Sequence, residues 1–173
     1  MRWILVIPAI AMAAAPAAAA LKQGAKAPQI ATIGAVGGKT FKLDLKDQLK
    51  RSAVVLYFFP KAFTKGCTLE AHAFSEAIPE FRKAGAQVIG MSADNVETLK
   101  KFSTEECRSA FPVATATPAI QKAYDVAWKE KPGLTTRTSY VIARDGRVVM
   151  VHDDLDWSKH VEKTLAAAKA LKR

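Results

Sequence analysis

The stretch Ala53-Val54-Val55-Leu56-Tyr57-Phe58-Phe59 is continuously apolar and rich in β-formers, the pattern of a central strand covered on both faces. Ahead of it, Gly37-Gly38 separates Ile30–Ile33 from Thr40–Leu45, where Phe41, Leu43 and Leu45 alternate with polar partners, which predicts a hairpin. Behind it, Leu69, Ala73, Phe74, Ala77, Ile78 and Phe81 recur at helical spacing over Cys67–Lys83, with Gly85 as a stop and Pro79 predicting a kink or break. A short strand over Ala86–Met91 precedes a helix from about Asn95 to Cys107, capped by Ser92 or Asp94. Pro112–Ala116 reads as a weak strand and Pro118–Tyr124 as a short helix opened by proline. Ser139–Arg144, an Asp145-Gly146 turn and Arg147–His152 make a second hairpin, and Trp157–Leu171 a closing amphipathic helix. Early β/α alternation followed by a hairpin and helix defines an α/β class with a mixed central sheet flanked by helices and an N-terminal hairpin extension.

The first twenty residues stand apart. Arg2 supplies a basic start, Trp3–Ala15 an apolar stretch, and Ala18-Ala19-Ala20 a small-residue cleavage signal, so 1–20 reads as a signal peptide and 21–173 as one domain. As a membrane anchor the segment is barely long enough, alanine-rich and broken by two prolines, so no stable membrane insertion is expected after cleavage. Export, to a bacterial periplasm, changes what two cysteines mean. Cys67 and Cys107 could form a structural disulfide there, although a domain of about 150 residues buries enough core to fold without one. The net charge of +10 becomes +9 once Arg2 is removed, with 25 basic against 16 acidic side chains. These charges are spread along the chain with no aromatic-interleaved basic motif, so no nucleic-acid partner is expected.

Candidate chemistry concentrates at the end of the apolar strand, in Pro60-Lys61-Ala62-Phe63-Thr64-Lys65-Gly66-Cys67. A strand ends at a proline, and a cysteine follows where a helix should begin. A helix N-terminus offers unpaired N–H groups and the positive end of the macrodipole, which favour the nucleophilic thiolate. The C-terminal edge of a central strand is also where open α/β sheets place their sites. Arg137, at the start of a predicted core strand, could stabilise a thiolate and donate to a substrate oxygen, or simply point to water from an edge. Thr64 occupies the first position of a C-x-x-C pair without being able to form a disulfide. Its hydroxyl could orient an oxygen-containing substrate or cap the helix.

Pro60, Thr64 and Cys67 in a P-x-x-x-T-x-x-C pattern resemble the peroxiredoxin family, AhpC/TSA superfamily. The likeness continues through Glu70, Ser92-Ala93-Asp94, Arg137-Thr138-Ser139-Tyr140 and Asp145-Gly146, and the compact chain is most similar to the bacterioferritin-comigratory-protein or Q type. The resemblance implies a thioredoxin-like fold and thiol-dependent reduction of hydrogen peroxide or organic hydroperoxides, with no metal and no bound cofactor. It implies that Cys67 attacks the peroxide and becomes a sulfenic acid. Pro60 would shield the pocket, Thr64 would hold peroxide oxygens, Arg137 would polarise peroxide and thiolate, and Glu70 would hold the arginine. An exposed Glu70 favouring the helix dipole is the plainer alternative. Many Q-type members place a resolving cysteine five residues after the first, where this chain has His72. Cys107 is therefore the candidate resolving thiol, after local unwinding, against a one-cysteine mechanism with an external thiol. The implied partners are a hydroperoxide and a thioredoxin-like or other thiol reductant, with the chain a monomer or homodimer. Three other functions compete. A thiol–disulfide carrier needs the C-x-x-C that Thr64 removes, and a copper chaperone needs metal spacing that His72, His152 and His160 do not form. A non-catalytic binding role leaves the Pro60, Thr64, Cys67 and Arg137 set unexplained.

Overall fold

The computed structural model describes residues 21–172; the predicted signal peptide lies outside them. Seven strands, β1 (Ala31–Val36), β2 (Lys39–Asp44), β3 (Ala53–Phe58), β4 (Ala86–Ser92), β5 (Val113–Thr115), β6 (Thr138–Ile142) and β7 (Val148–Asp153), form one sheet in the order β2-β1-β5-β4-β3-β6-β7. β3, β4 and β5 run parallel, while both flanks pair antiparallel. The sheet is mixed, as the alternation of elements predicts, and the fold is the thioredoxin-like one. Helices α2 (Lys65–Lys83), α3 (Val96–Glu105) and α5 (His160–Leu171) cover one face; α1 (Leu45–Arg51) and α4 (Pro118–Ala123) cover the other.

The two-sided burial of β3 is visible residue by residue. Ala53, Val55, Tyr57 and Phe59 enter the core under α2, whereas Val54, Leu56 and Phe58 enter the core under α1 and α4. A strand alternates its side chains, so only an all-apolar run serves a sheet covered on both faces. Tyr57 lies opposite Gly90 of β4, and its ring occupies the space a Cβ would need there, 2.9 Å away. That ring also stacks on Phe74 of α2 at a centroid distance of 4.3 Å, locking the helix that carries Cys67 onto the strand that leads to it.

Several sequence expectations shift. The alternation through Leu45 does not continue as strand: the Asp44 side chain accepts from the Asp47 N–H and caps α1, a helix the pattern did not suggest. Pro79 does not break α2, because Ile78 and Phe81 on either side are buried and hold the turn against the sheet. Neither Ser92 nor Asp94 caps α3; Asn95 does, accepting from Thr98 N–H. α3 also stops at Glu105, which leaves Cys107 in the turn beyond it. The closing helix begins at His160, after a 3-10 turn over Trp157–Lys159.

Candidate active site

The loop between β3 and α2 is pinned from both sides. The Thr135 hydroxyl donates to the Phe59 carbonyl (2.7 Å), and the Ala62 N–H donates to Asp94 Oδ2 (2.8 Å), which also accepts from the Ser92 hydroxyl (2.8 Å). Ser92-Ala93-Asp94 therefore serves the cysteine loop rather than the next helix. Phe63, with a left-handed backbone (φ 63°), turns its ring edge-on to Phe102 at 5.3 Å. Pro60 is half-buried at the loop's start.

Thr64 occupies the N-cap position of α2, but its hydroxyl makes no cap bond and donates instead to the Lys61 carbonyl (2.9 Å). The first-turn N–H groups thus keep no side-chain acceptor, an arrangement suited to an incoming anion or polarised oxygen. Cys67 is the third residue of this turn. It is 1% exposed.

Arg137 does not point to water. It is 5% exposed and its three nitrogens hold three partners, two on α2 and one in the turn before α5. Nε donates to the Leu155 carbonyl (2.9 Å), Nη1 to Glu70 Oε2, and Nη2 to Cys67 Sγ (3.5 Å). Five N–H donors meet three partners, so one is left on each terminal nitrogen, that on Nη2 belonging to the nitrogen that holds the sulfur. Gly66 makes room for this: a Cβ there would stand 3.3 Å from Nη2. Burial works against the guanidinium charge, but Glu70 and Cys67 outweigh it and raise the Arg137 pKa further.

Glu70 is fully buried, so the exposed, dipole-favouring alternative fails. Its carboxyl pKa is pushed up to about 8 by burial, against the pull of Arg137. Behind it stands a residue that sequence reasoning placed only in a discarded metal set: His160, fully buried, with Nδ1 3.8 Å from Glu70 Oε1. Burial, first, and the His152 and Arg137 charges hold its pKa down to about 4. Nε2 of His160 donates to the Asp154 carbonyl (2.9 Å), and Asp154 N–H donates to the Arg137 carbonyl (3.1 Å), so His160 braces the turn whose Leu155 holds the guanidinium. A polar residue on the inward face of an amphipathic helix was the available signal.

The remaining candidates lie elsewhere. His72 pairs with Glu106 (2.8 Å) and is not part of the Cys67 cluster. Cys107 is free, fully buried and in the same hydrophobic cluster as Cys67, with its thiol pKa raised chiefly by burial. The structure brings Cys67, Arg137 and Glu70 together, leaves Thr64 and Pro60 at the loop beside them, and gives Cys107 no charged partner of opposite sign.

A buried thiol at a helix N-terminus, held by a guanidinium within a thioredoxin-like sheet, defines a thiol-active α/β protein of the peroxiredoxin class. Comparison makes this specific: residues 23–151 match the AhpC/TSA family, and the chain belongs to that family. It is 36% identical over 125 residues to Peroxiredoxin Bcp of Xanthomonas campestris, covering 68% of this chain and 76% of that protein. It is 32% identical to Peroxiredoxin Bcp of Escherichia coli, covering 84% and 94%. The crystal structure of Peroxidoxin BcpB from Mycobacterium tuberculosis superposes with a TM-score of 0.78 at 28% identity, covering 87% of this chain and 98% of that one.

Proposed function

We propose that this protein is a thiol-dependent peroxidase that reduces hydrogen peroxide or organic hydroperoxides at Cys67. The observation that carries the reading is the Arg137 contact with Cys67 Sγ, which sets a permanent cation against a buried thiol and leaves one further Nη2 N–H for a ligand. In the reaction, the Cys67 thiolate attacks one peroxide oxygen in line with the O–O bond. Sulfur is oxidised to the sulfenic acid, the O–O bond breaks, and the departing alkoxide or hydroxide takes up a proton. Arg137 and the first-turn amides of α2 stabilise the charge developing on the oxygens. The Thr64 hydroxyl retains lone pairs to accept from the peroxide O–H, and Pro60 walls the pocket from water. Glu70 fixes the rotamer of Arg137.

Cys107 is the resolving thiol in this reading. Where it stands, burial keeps it a poor nucleophile, so the turn after α3 must open first. That turn carries two consecutive left-handed residues, Arg108 (φ 51°) and Ser109 (φ 56°), each costing about 1–3 kcal/mol, a store of strain that opening releases. An external thiol, thioredoxin-like or otherwise, then reduces the disulfide. Export to a periplasm belongs to the same proposal and is supported by the sequence of residues 1–20.

Peroxide consumption by wild type and Cys67→Ser tests the activity, and undiminished turnover in the serine variant removes Cys67 from the mechanism. Mass spectrometry after one equivalent of peroxide tests the resolution step. A Cys67–Cys107 linkage is expected; a persistent Cys67 sulfenate without it would establish the one-cysteine cycle instead.

A further inference from the structure

The end of the sheet opposite the Cys67 loop is where β3 and β4 begin, paired at Ala53 and Ala86, and where β6 turns into β7 after Ile142. α1, α2 and α5 finish at the same end. The Lys172 ammonium, just beyond α5, donates to the Lys83 carbonyl of α2 (2.8 Å), and the Arg144 guanidinium of the β6–β7 turn donates to the Lys50 carbonyl of α1 (2.9 Å). Five segments build this end: 24–29, 45–52, 80–86, 143–148 and 169–172. They carry ten lysines and arginines against three acids, Asp47, Glu80 and Asp145, whereas the other described residues carry fourteen against thirteen. The positive surplus of the molecule is gathered at one end.

Each of the three acids is already paired, with Lys50, Lys83 and Arg147 in turn. Lys26, Lys46, Arg51 and Arg144 make no ion pair among the described residues. Two of them are held by carbonyls instead: Arg144 by that of Lys50, and Lys26 by that of Asp145 (2.5 Å), which fixes a cation without neutralising it. The same four side chains rim two adjoining cavities of about 470 and 520 Å³ that have Arg144 and Asp145 in common. Beneath the charges the lining is apolar, with Ala27, Leu45 and Leu49 in one cavity and Ala53, Ala84 and Leu171 in the other. Cations above an apolar floor are the complement of a phospholipid surface, which offers phosphate at the headgroup and hydrocarbon below it. A nucleic acid or polyphosphate would meet the cations and leave the apolar lining uncovered.

We infer that this end of the molecule docks on a membrane surface rich in anionic phospholipid, peripherally and with no described segment crossing the bilayer. Each lysine or arginine brought to such a surface contributes about 1 kcal/mol, or roughly fivefold in affinity, so the four unpaired cations suffice for a reversible attachment. The six residues of β3 separate the docking end from the Cys67 loop by about 20 Å. A docked molecule therefore keeps that loop turned to water. With the export proposed above, the face holds the protein at the membrane while its site stays open to a hydroperoxide and to a reductant from solution.

The test is sedimentation with vesicles and uses no peroxide, so it is read apart from the peroxidase activity. Residues 21–173, which contain the whole sheet and its helices, are mixed with vesicles of phosphatidylcholine alone or of phosphatidylcholine and phosphatidylglycerol in a two-to-one mixture. Binding to the mixed vesicles is expected at about 0.1 M salt and should vanish at about 1 M, where screening acts within about 3 Å. Lys46→Glu with Arg51→Glu reverses two exposed side chains that make no hydrogen bond or ion pair among the described residues, and should weaken binding more than tenfold. Lys129→Glu with Lys131→Glu changes the net charge equally in the loop ahead of Thr135, at the Cys67 end, and should leave binding within about threefold. No binding to the mixed vesicles, or equal binding to phosphatidylcholine alone, overturns the docking face. Equal losses in the two charge-reversed pairs also overturn it, since net charge and not one end would then be responsible. Retention on polyphosphate without binding to vesicles would assign the cations to a soluble polyanion and overturn it as well.

Discussion

Cys67 and Cys107 lie in the same hydrophobic cluster and are equally hidden from water, yet their surroundings differ in one respect. Cys67 stands at the open N-terminal turn of α2 with Arg137 at 3.5 Å. Cys107 follows the C-terminal end of α3, next to the Glu106 charge, and both burial and that charge disfavour its thiolate. Burial alone disfavours a thiolate; in the proposed reaction, burial with a guanidinium and helix amides makes Cys67 a nucleophile shielded from water. The direction of the neighbouring helix matters as much as the depth of burial, because the macrodipole supports an anion at one end and opposes it at the other.

Removing the nucleophile should have the largest effect. Cys67→Ser is expected to lower the second-order rate with hydrogen peroxide by more than about a thousandfold, whereas Cys107→Ser should leave the first oxidation at the wild-type rate. Arg137→Lys comes next. A lysine keeps the charge but cannot bond Leu155, Glu70 and Cys67 at once, and stopped-flow kinetics should show a loss on the order of a hundredfold in the peroxide rate.

Smaller effects test the polar group behind the arginine through pH-dependent unfolding. The folded value of about 8 for Glu70 lies above its ordinary 4.5, so the stability it contributes is full at low pH and lost as pH rises through 8. Between pH 5 and 9 the wild type should lose on the order of 3 kcal/mol more than Glu70→Gln. His160 shows the opposite sign. Its value falls from 6.5 to about 4, so its contribution is present above 6.5 and lost as pH drops through 4; His160→Gln should flatten that acid limb by about 3 kcal/mol. The smallest expected change is at the surface. His72→Ala breaks a partly exposed pair with Glu106 and should cost less than about 1 kcal/mol, with the peroxide rate unchanged; a large rate loss would bring His72 into the site.

Much of this comparison was legible in the sequence. The apolar run of β3 followed by Pro60 and a helix start placed Cys67 because strand period and helix termini are local properties. Arg137 was suspicious for being a charge at the head of a buried strand. What the sequence withheld depends on the third dimension. Whether Arg137 faced water or the thiol turned on the 154–155 turn, and Ser92-Ala93-Asp94 looked like a cap because its true partner, Ala62, is far away in the chain. α1 was hidden since Leu45 continues the alternation of β2 while also starting a helical face. His160 was passed over because only packing decides which polar residue of an amphipathic helix turns inward.

The central claim, that Arg137 and the α2 terminus rather than burial make the reactive thiol, is tested most directly by competition within one molecule. Reduced protein treated with substoichiometric hydrogen peroxide in the presence of a sulfenic-acid trap, then digested and mapped by mass spectrometry, should carry the trapped label at Cys67 and essentially none at Cys107. Equal labelling of the two cysteines, or label at Cys107 first, would contradict the account.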